Sequence, residues 1–189
     1  NMISFFNITS LGDATDFGAD QPFTGAYAGA FSSPTRTVMF GGRSNPYTAH
    51  NSIWFVTTQT TGFVEDFGDY SNAQYSGSGV LNAAGASSNT RGIIAGGFNH
   101  TYPSGNNTNQ MEFVTIASTG NAIDFGDLTA AVQMSKGSSN CVRGMFVHGS
   151  TTNRVDDLNI ASLGNATIFG DLNFNTGSGM SLSNAHGGL

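Results

Sequence analysis

Apolar residues recur along this chain in aligned columns rather than with a helical period. Four segments superimpose: residues 2–20 (MISFFNITSLGDATDFGAD), 52–70 (SIWFVTTQTTGFVEDFGDY), 110–128 (QMEFVTIASTGNAIDFGDL) and 154–172 (RVDDLNIASLGNATIFGDL). Each reads as strand, turn, strand. Ile3, Ile53, Met111 and Val155 share a column in the first strand. The turn carries Gly12, Gly62, Gly120 and Gly164, where a positive φ is expected. The second strand closes on Phe17-Gly18, Phe67-Gly68, Phe125-Gly126 and Phe169-Gly170. Weaker segments lie between: 35–42 (TRTVMFGG), 90–97 (TRGIIAGG), 142–149 (VRGMFVHG) and 185–189 (AHGGL). Small residues precede them, as in 76–79 (SGSG) and 135–138 (SKGS). These predict two further strands per unit.

Successive Phe-Gly pairs, at Phe17, Phe67, Phe125 and Phe169, are 44 to 58 residues apart. That is the period of a propeller blade of four strands, and it is longer than a leucine-rich or ankyrin repeat. The sequence therefore predicts one all-β domain over residues 1–189, a β-propeller of four units of about four strands. A β-solenoid is the second choice, since its rungs are shorter and more regular. Crowded inner strands need small residues, which Gly77, Gly79, Gly177 and Gly179 supply. Phe17, Phe67, Phe125 and Phe169 are large enough to fill the wedges between blades. The doublets Gly41-Gly42 and Gly96-Gly97 let a strand end in a tight turn. The chain opens with the third and fourth strands of a unit and closes with the first and second. Pairing of the N- and C-terminal strands would then close the ring and remove free edges.

Three units carry Asp before Phe-Gly and Arg in the next segment. The expected ion pairs are Asp16–Arg36, Asp66–Arg91 and Asp124–Arg143, each tying one blade to the next.

Composition agrees with this picture. The chain has 189 residues, 38% hydrophobic and 10% charged, with 26 Gly and 15 Phe. Gly, Asn and Ser favour turns, while Thr and aromatics favour strands. No apolar run is long enough to span a membrane as a helix, so no membrane insertion is expected. Net charge is −6 and Lys136 is the single lysine. No basic stripe exists to displace counterions from phosphates, so nucleic acid is not an expected partner. Cys141 is the only cysteine, which excludes an internal disulfide and a thiolate metal cage. The chain begins with Asn1, so it is expected to be a fragment of a longer protein.

The Gly-Gly doublet, the apolar third strand and the aromatic-Gly close of the fourth resemble kelch repeats, with Phe in place of the kelch tryptophan. The run 116–128 (IASTGNAIDFGDL) with 88–92 (SNTRG) further resembles kelch-like repeats in structural proteins of marine tailed phages, notably those of cyanobacteria. The resemblance covers nearly the whole chain. It departs at Ile168, at His148-Gly149 and at Ala19-Asp20. It implies a virion structural protein on a tail, fibre or other exposed appendage. Its partners would be other virion proteins and a host-surface glycan or protein, and it would assemble as a homo-oligomer. A decoration or neck brick and a cellular kelch protein-interaction module are the alternatives.

Little in the chain points to catalysis. Asp-Phe-Gly occurs three times, whereas the kinase motif of that sequence occurs once, beside a catalytic loop. The three arginines lack the companion box of a sialidase. His50, His100, His148 and His186 show no ligand spacing, so no metal or cofactor is expected. No Gly-x-Ser-x-Gly elbow is present. Asp156-Asp157 and Glu65-Asp66 read as solvated pairs. What remains are the loops 43–52, 98–110 and 150–154, which vary in length and should emerge on one face. Tyr47, His50, Phe98, His100 and Tyr102 cluster there as candidate receptor-binding residues, because Tyr and His join an apolar body to a polar tip.

Overall fold

The structure is a computed structural model that describes residues 2–20, 25–44, 48–71, 79–101, 104–149, 152–175, 177 and 181. Among these residues every regular element is a strand, and all pairing is antiparallel. The first sheet has two strands, β1 (Met2–Phe5) and β2 (Thr15–Asp20). The second runs in the order β3 (Gly25–Ser32), β4 (Arg36–Ser44), β6 (Ser52–Thr57), β7 (Glu65–Asp69), with β5 (Thr48–Ala49) beside β4. The third contains β9 (Ala84–Ser87), β10 (Arg91–Ala95), β12 (Ser104–Thr115) and β13 (Ile123–Val132) in that order. It is extended by β11 (Phe98–Thr101) on β12 and by β8 (Val80–Leu81) on β11. The fourth is β14 (Lys136–Ser139), β15 (Arg143–Val147), β16 (Arg154–Asn159) and β17 (Thr167–Asp171). Three sheets are thus complete four-stranded meanders and the first holds two strands. The C-terminal residues expected to pair with β1 lie outside the described residues, as do Gly77 and Gly179.

The Phe-Gly close has a local cause. In every sheet the pairing register slips at the same place, between Met2 and Ser4, Ile53 and Trp54, Met111 and Glu112, Val155 and Asp156. Opposite that slip, Gly68 pairs with Ile53 but Asp66 pairs with Trp54, so Phe67 is the extra residue of a β-bulge. Phe125 and Phe169 hold the same position. A bulge re-aims the extra side chain. Here it turns Phe67 and Phe125 into the contact with the following sheet.

The sheets pack in chain order, each against the next. Phe17 and Val56 pack with Ile3, Met39 and Val64 between the first and second sheets. Phe40, Ile53, Phe67, Ile94 and Ile116 fill the second junction. Met111, Phe125, Phe146, Leu158 and Ile160 fill the third. One hydrogen bond recurs at all three: the turn glycine of the later unit donates to the Phe carbonyl of the earlier. Gly62 N–H reaches Phe17 O at 3.1 Å, Gly120 reaches Phe67 at 2.7 Å and Gly164 reaches Phe125 at 2.9 Å. At the second and third junctions the contact leaves no room for a side chain at the Gly of Phe-Gly, whereas a Cβ on Gly18 would come no nearer than 3.9 Å to Gly62 N. A Cβ on Gly126 would lie 2.5 Å from Gly164 O, and one on Gly68 would lie 2.6 Å from Gly120 O. The turn glycines Gly12, Gly120 and Gly164 have positive φ, but Gly62 does not.

Several expectations change. Phe17, Phe67 and Phe125 are buried, but Phe169 is 57% exposed because no described sheet follows the fourth. The crowded inner glycines are Gly29, Gly85 and Gly137, where the backbones of β3, β9 and β14 converge. Gly79 is crowded too, against the backbone of Ala49 and His50, whereas Gly177 stands in open space.

The three ion pairs do not form. Asp16, Asp66 and Asp124 lie exposed on the outermost strand of their sheets, and Asp16 accepts from Gly18 N at 2.9 Å across its own bulge. Arg36 instead donates to Ile116 O at 2.8 Å and lies 4.2 Å from the Phe55 ring centroid. Arg91 donates to Ile160 O at 2.9 Å and lies 4.4 Å from the Phe113 centroid. Both arginines bridge to the next sheet, but through carbonyls. A planar guanidinium can stack on an aromatic face and donate in its own plane together. Among the described residues Arg143 has no following sheet to reach. It pairs with Asp157, which occupies the column of Phe55 and Phe113, with Nε 3.0 Å from Oδ2.

Candidate functional site

Two regions present polar groups at an edge of the sheets. The first lies where β4, β5, β8 and β11 meet. His50 follows β5, its backbone N–H donating to Gly42 O at 2.9 Å and its carbonyl accepting from the Tyr70 hydroxyl at 3.0 Å. The Tyr70 hydroxyl also accepts from Val80 N–H, which anchors β8 to the second sheet. Burial pushes the Tyr70 phenol well above its usual range, so it remains protonated and able to donate. The His50 imidazole is half-buried, with Nε2 3.0 Å from Ser44 Oγ. Burial lowers its pKa below the ordinary 6.5, so the ring is neutral at neutral pH and can both donate and accept.

Phe98 lies on the other side of β8, opposite Leu81 in the register. Its half-buried ring covers the space where Gly105 would carry a Cβ. His50 and Phe98 are thus brought to the two flanks of one short strand. Tyr47 and Tyr102 lie outside the described residues. His100 has a described backbone, paired with Gly105, and its side chain lies outside the description.

The segment 98–110, expected as a loop, is largely sheet. Phe98, Asn99, His100 and Thr101 pair with Asn107, Asn106, Gly105 and Ser104. A strand at a sheet margin needs only its backbone ladder, so the apolar alternation that marks buried strands is missing here. The segment 43–52 likewise contains the end of β4 and all of β5.

The second region is a groove of about 320 Å3 where β3, β9 and β14 converge. Its walls include Ser87, Ser88, Asn89, Ser139, Asn140 and Cys141. Part of this hydroxyl set joins the sheets. Ser87 Oγ donates to Ser32 O at 2.7 Å, and Ser139 Oγ donates to Ser87 O at 2.7 Å. Ser88 Oγ and Asn140 Oδ1 hold their own turns by accepting from Arg91 N and Arg143 N. The groove offers hydrogen bonds, and among the described residues its walls carry no carboxylate or imidazole. Among the described residues no three His, Cys, Asp or Glu side chains are grouped to hold a metal ion.

The buried acids serve the junctions, a role the sequence reading missed. Asp156, expected to be solvated, is fully buried. Its carboxylate accepts from Thr129 N at 2.8 Å, Thr129 Oγ1 at 2.7 Å and His148 Nε2 at 2.9 Å. Burial alone would raise its pKa, but the bonds from His148 and Thr129 outweigh that and hold it below the ordinary 3.8. Glu112 occupies the same column one sheet earlier and accepts from Ser71 N at 2.8 Å and Ser71 Oγ at 2.7 Å. The signal was available: Glu112 and Asp156 align, and a hydroxyl residue follows each preceding Phe-Gly. Glu65 and Asp66 are exposed, as read from the sequence. No protein-family model matches this chain, and no curated protein matches it significantly.

Proposed function

We propose that the chain is a non-enzymatic, kelch-like β-propeller module of a tailed-phage virion, carried on an exposed appendage that attaches to the host surface. The observation that carries this reading is the β8–β11–β12 extension, in which His50 and Phe98 lie on the two flanks of β8. It is the largest addition to the repeated four-strand frame among the described residues. Elaborations on a rigid scaffold are where binding concentrates. The frame suits the task, because each junction is locked by a backbone hydrogen bond, an aromatic wedge and, in two cases, an arginine bridge. The neutral imidazole of His50 beside apolar Phe98 suits a hydroxyl-rich glycan or a protein surface. Low charge keeps such a contact weakly dependent on salt.

Gold-labelled antibodies raised against this chain and imaged on intact phage particles test the reading. Label at fibre or tail tips is expected. Label on the capsid or neck makes the chain a virion brick without attachment, and unlabelled particles make it a cellular kelch-type interaction module.

A further inference from the structure

Each internal junction joins the same two halves. The forward half of a sheet offers the Phe of Phe-Gly, whose carbonyl accepts, and in the second and third sheets an arginine that donates. The rear half of the next sheet offers a turn glycine N–H and apolar side chains, and at two junctions the carbonyl that receives the arginine. Among the described residues both halves are unfilled at the ends of the array. Phe169 is 57% exposed where Phe125 is 2% exposed, and no described residue donates to its carbonyl. On the first sheet, Ile8 occupies the column of Ile116 and Ile160, and Phe6 that of Val114 and Leu158. Ile8 is 89% exposed where Ile160 is 1% exposed, and Phe6 is exposed too. Among the described residues β1 pairs with β2 alone, whereas β6, β12 and β16 are paired on both edges.

We propose that the forward face of the fourth sheet receives the rear face of the first sheet of a second copy, head to tail. The contacts to be made are those of the internal junctions: Gly12 N–H to Phe169 O, Arg143 to Ile8 O, and Phe169 against the apolar rear of β1 and β2. The occupant is a second copy because, among the described residues, this chain's own first sheet shares an apolar cluster with the second sheet and none with the fourth. Among the described residues the first and fourth sheets share no hydrogen bond, ion pair or ring contact. Within the forward face Arg143 is paired to Asp157, and Phe6 and Ile8 carry no charge, while Asp13 and Asp171 are the two exposed carboxylates that the contact brings near one another. Unlike halves meeting in this way form a heterologous interface, which closes a ring or extends a filament by whole copies.

Cross-linking of the 189-residue chain tests this. At the internal junctions Asn121 Oδ1 accepts from Asp69 N and Asn165 Oδ1 from Asp127 N, each at 3.0 Å. Asp13 and Asp171 hold the corresponding end positions and are exposed. With Cys141→Ser in the background, Asp13→Cys and Asp171→Cys chains are mixed and treated with a short bis-maleimide. A cross-linked dimer is expected in the mixture and in neither variant alone, with wild-type mass in sedimentation rising with concentration. Phe169→Asp and Ile8→Asp, both at exposed positions, should each abolish the dimer while leaving far-ultraviolet dichroism unchanged. Absence of a cross-link in the mixture overturns the proposal, as does dimerisation of one variant alone. So does an intramolecular cross-link in a dilute Asp13→Cys, Asp171→Cys double variant, which would show closure within one chain.

Discussion

Replacing the same Phe in two repeats separates local motif from tertiary context. Phe125 and Phe169 each sit at a bulge before Gly-Asp-Leu, so their local sequence is nearly the same. Phe125 is 2% exposed, packs in one cluster with Met111, Leu158 and Ile160, and meets Phe113 edge-on at 6.1 Å between centroids. Removing a buried Phe side chain costs about 3–5 kcal/mol, counting the transfer of its carbons and the cavity left behind. Phe169 is 57% exposed, with less than half of that surface to lose and no enclosed cavity to leave. Its loss should cost roughly 1 kcal/mol, scaled from burial of a full side chain. In a chain of this size each kcal/mol moves Tm by about 2–4 °C, so Phe125→Ala should melt roughly 10 °C below wild type and Phe169→Ala about 3 °C below. Urea titration followed by circular dichroism at low protein concentration, where association is absent, measures both. Losses within about 1 kcal/mol of each other would refute the reasoning, because Phe169 would then be as enclosed in solution as Phe125.

Three further comparisons use the same contrast between interior and end. Gly126→Ala places a Cβ 2.5 Å from Gly164 O at φ 139°, whereas Gly170→Ala meets nothing and has no positive φ. Calorimetry should therefore show about 2 kcal/mol or more lost in the first, as for overpacking with backbone strain, and a change within about 0.5 kcal/mol in the second. Arg91→Ala loses a charge-assisted bond and an aromatic stack and should cost about 2–3 kcal/mol, while Arg143→Ala loses an exposed pair and should cost under about 1 kcal/mol by urea titration. The depressed pKa of Asp156 contributes stability that is fully present above the unfolded value near 3.8 and is lost as pH falls through the lower folded value. A pH series of urea midpoints should therefore decline below about pH 4, with a shallower decline in Asp156→Asn.

Much of the architecture can be read in the chain. The columns of Ile3, Ile53, Met111 and Val155 mark the first strand of each repeat core, and Phe-Gly marks the close of the second. Both follow from short-range chemistry, the pleat and the bulge, which repeat wherever the residues repeat. The candidate site is less legible. His50 and Phe98 were both singled out, yet what joins them is β8, a two-residue strand whose backbone is pinned by Tyr70. Nothing in a two-residue apolar step announces a strand. The Phe98 segment reads as a loop because a marginal strand is held by its backbone ladder and needs no apolar face.

The sequence by itself determined the strands and turns of the four repeat cores and which position in each repeat faces its neighbour. Those choices depend on residue type and on alternation over a few positions. Only the tertiary structure decided what each position meets. Arg36 finds a carbonyl 80 residues away, and Arg91 does the same one sheet later. Arg143, in the same column, finds an aspartate of its own sheet because no described sheet follows. Asp156 is buried and Asp157 is not, although they are adjacent. The physical reason is that burial and partner choice depend on the sheet packed in front, and local sequence carries no record of whether such a sheet is there.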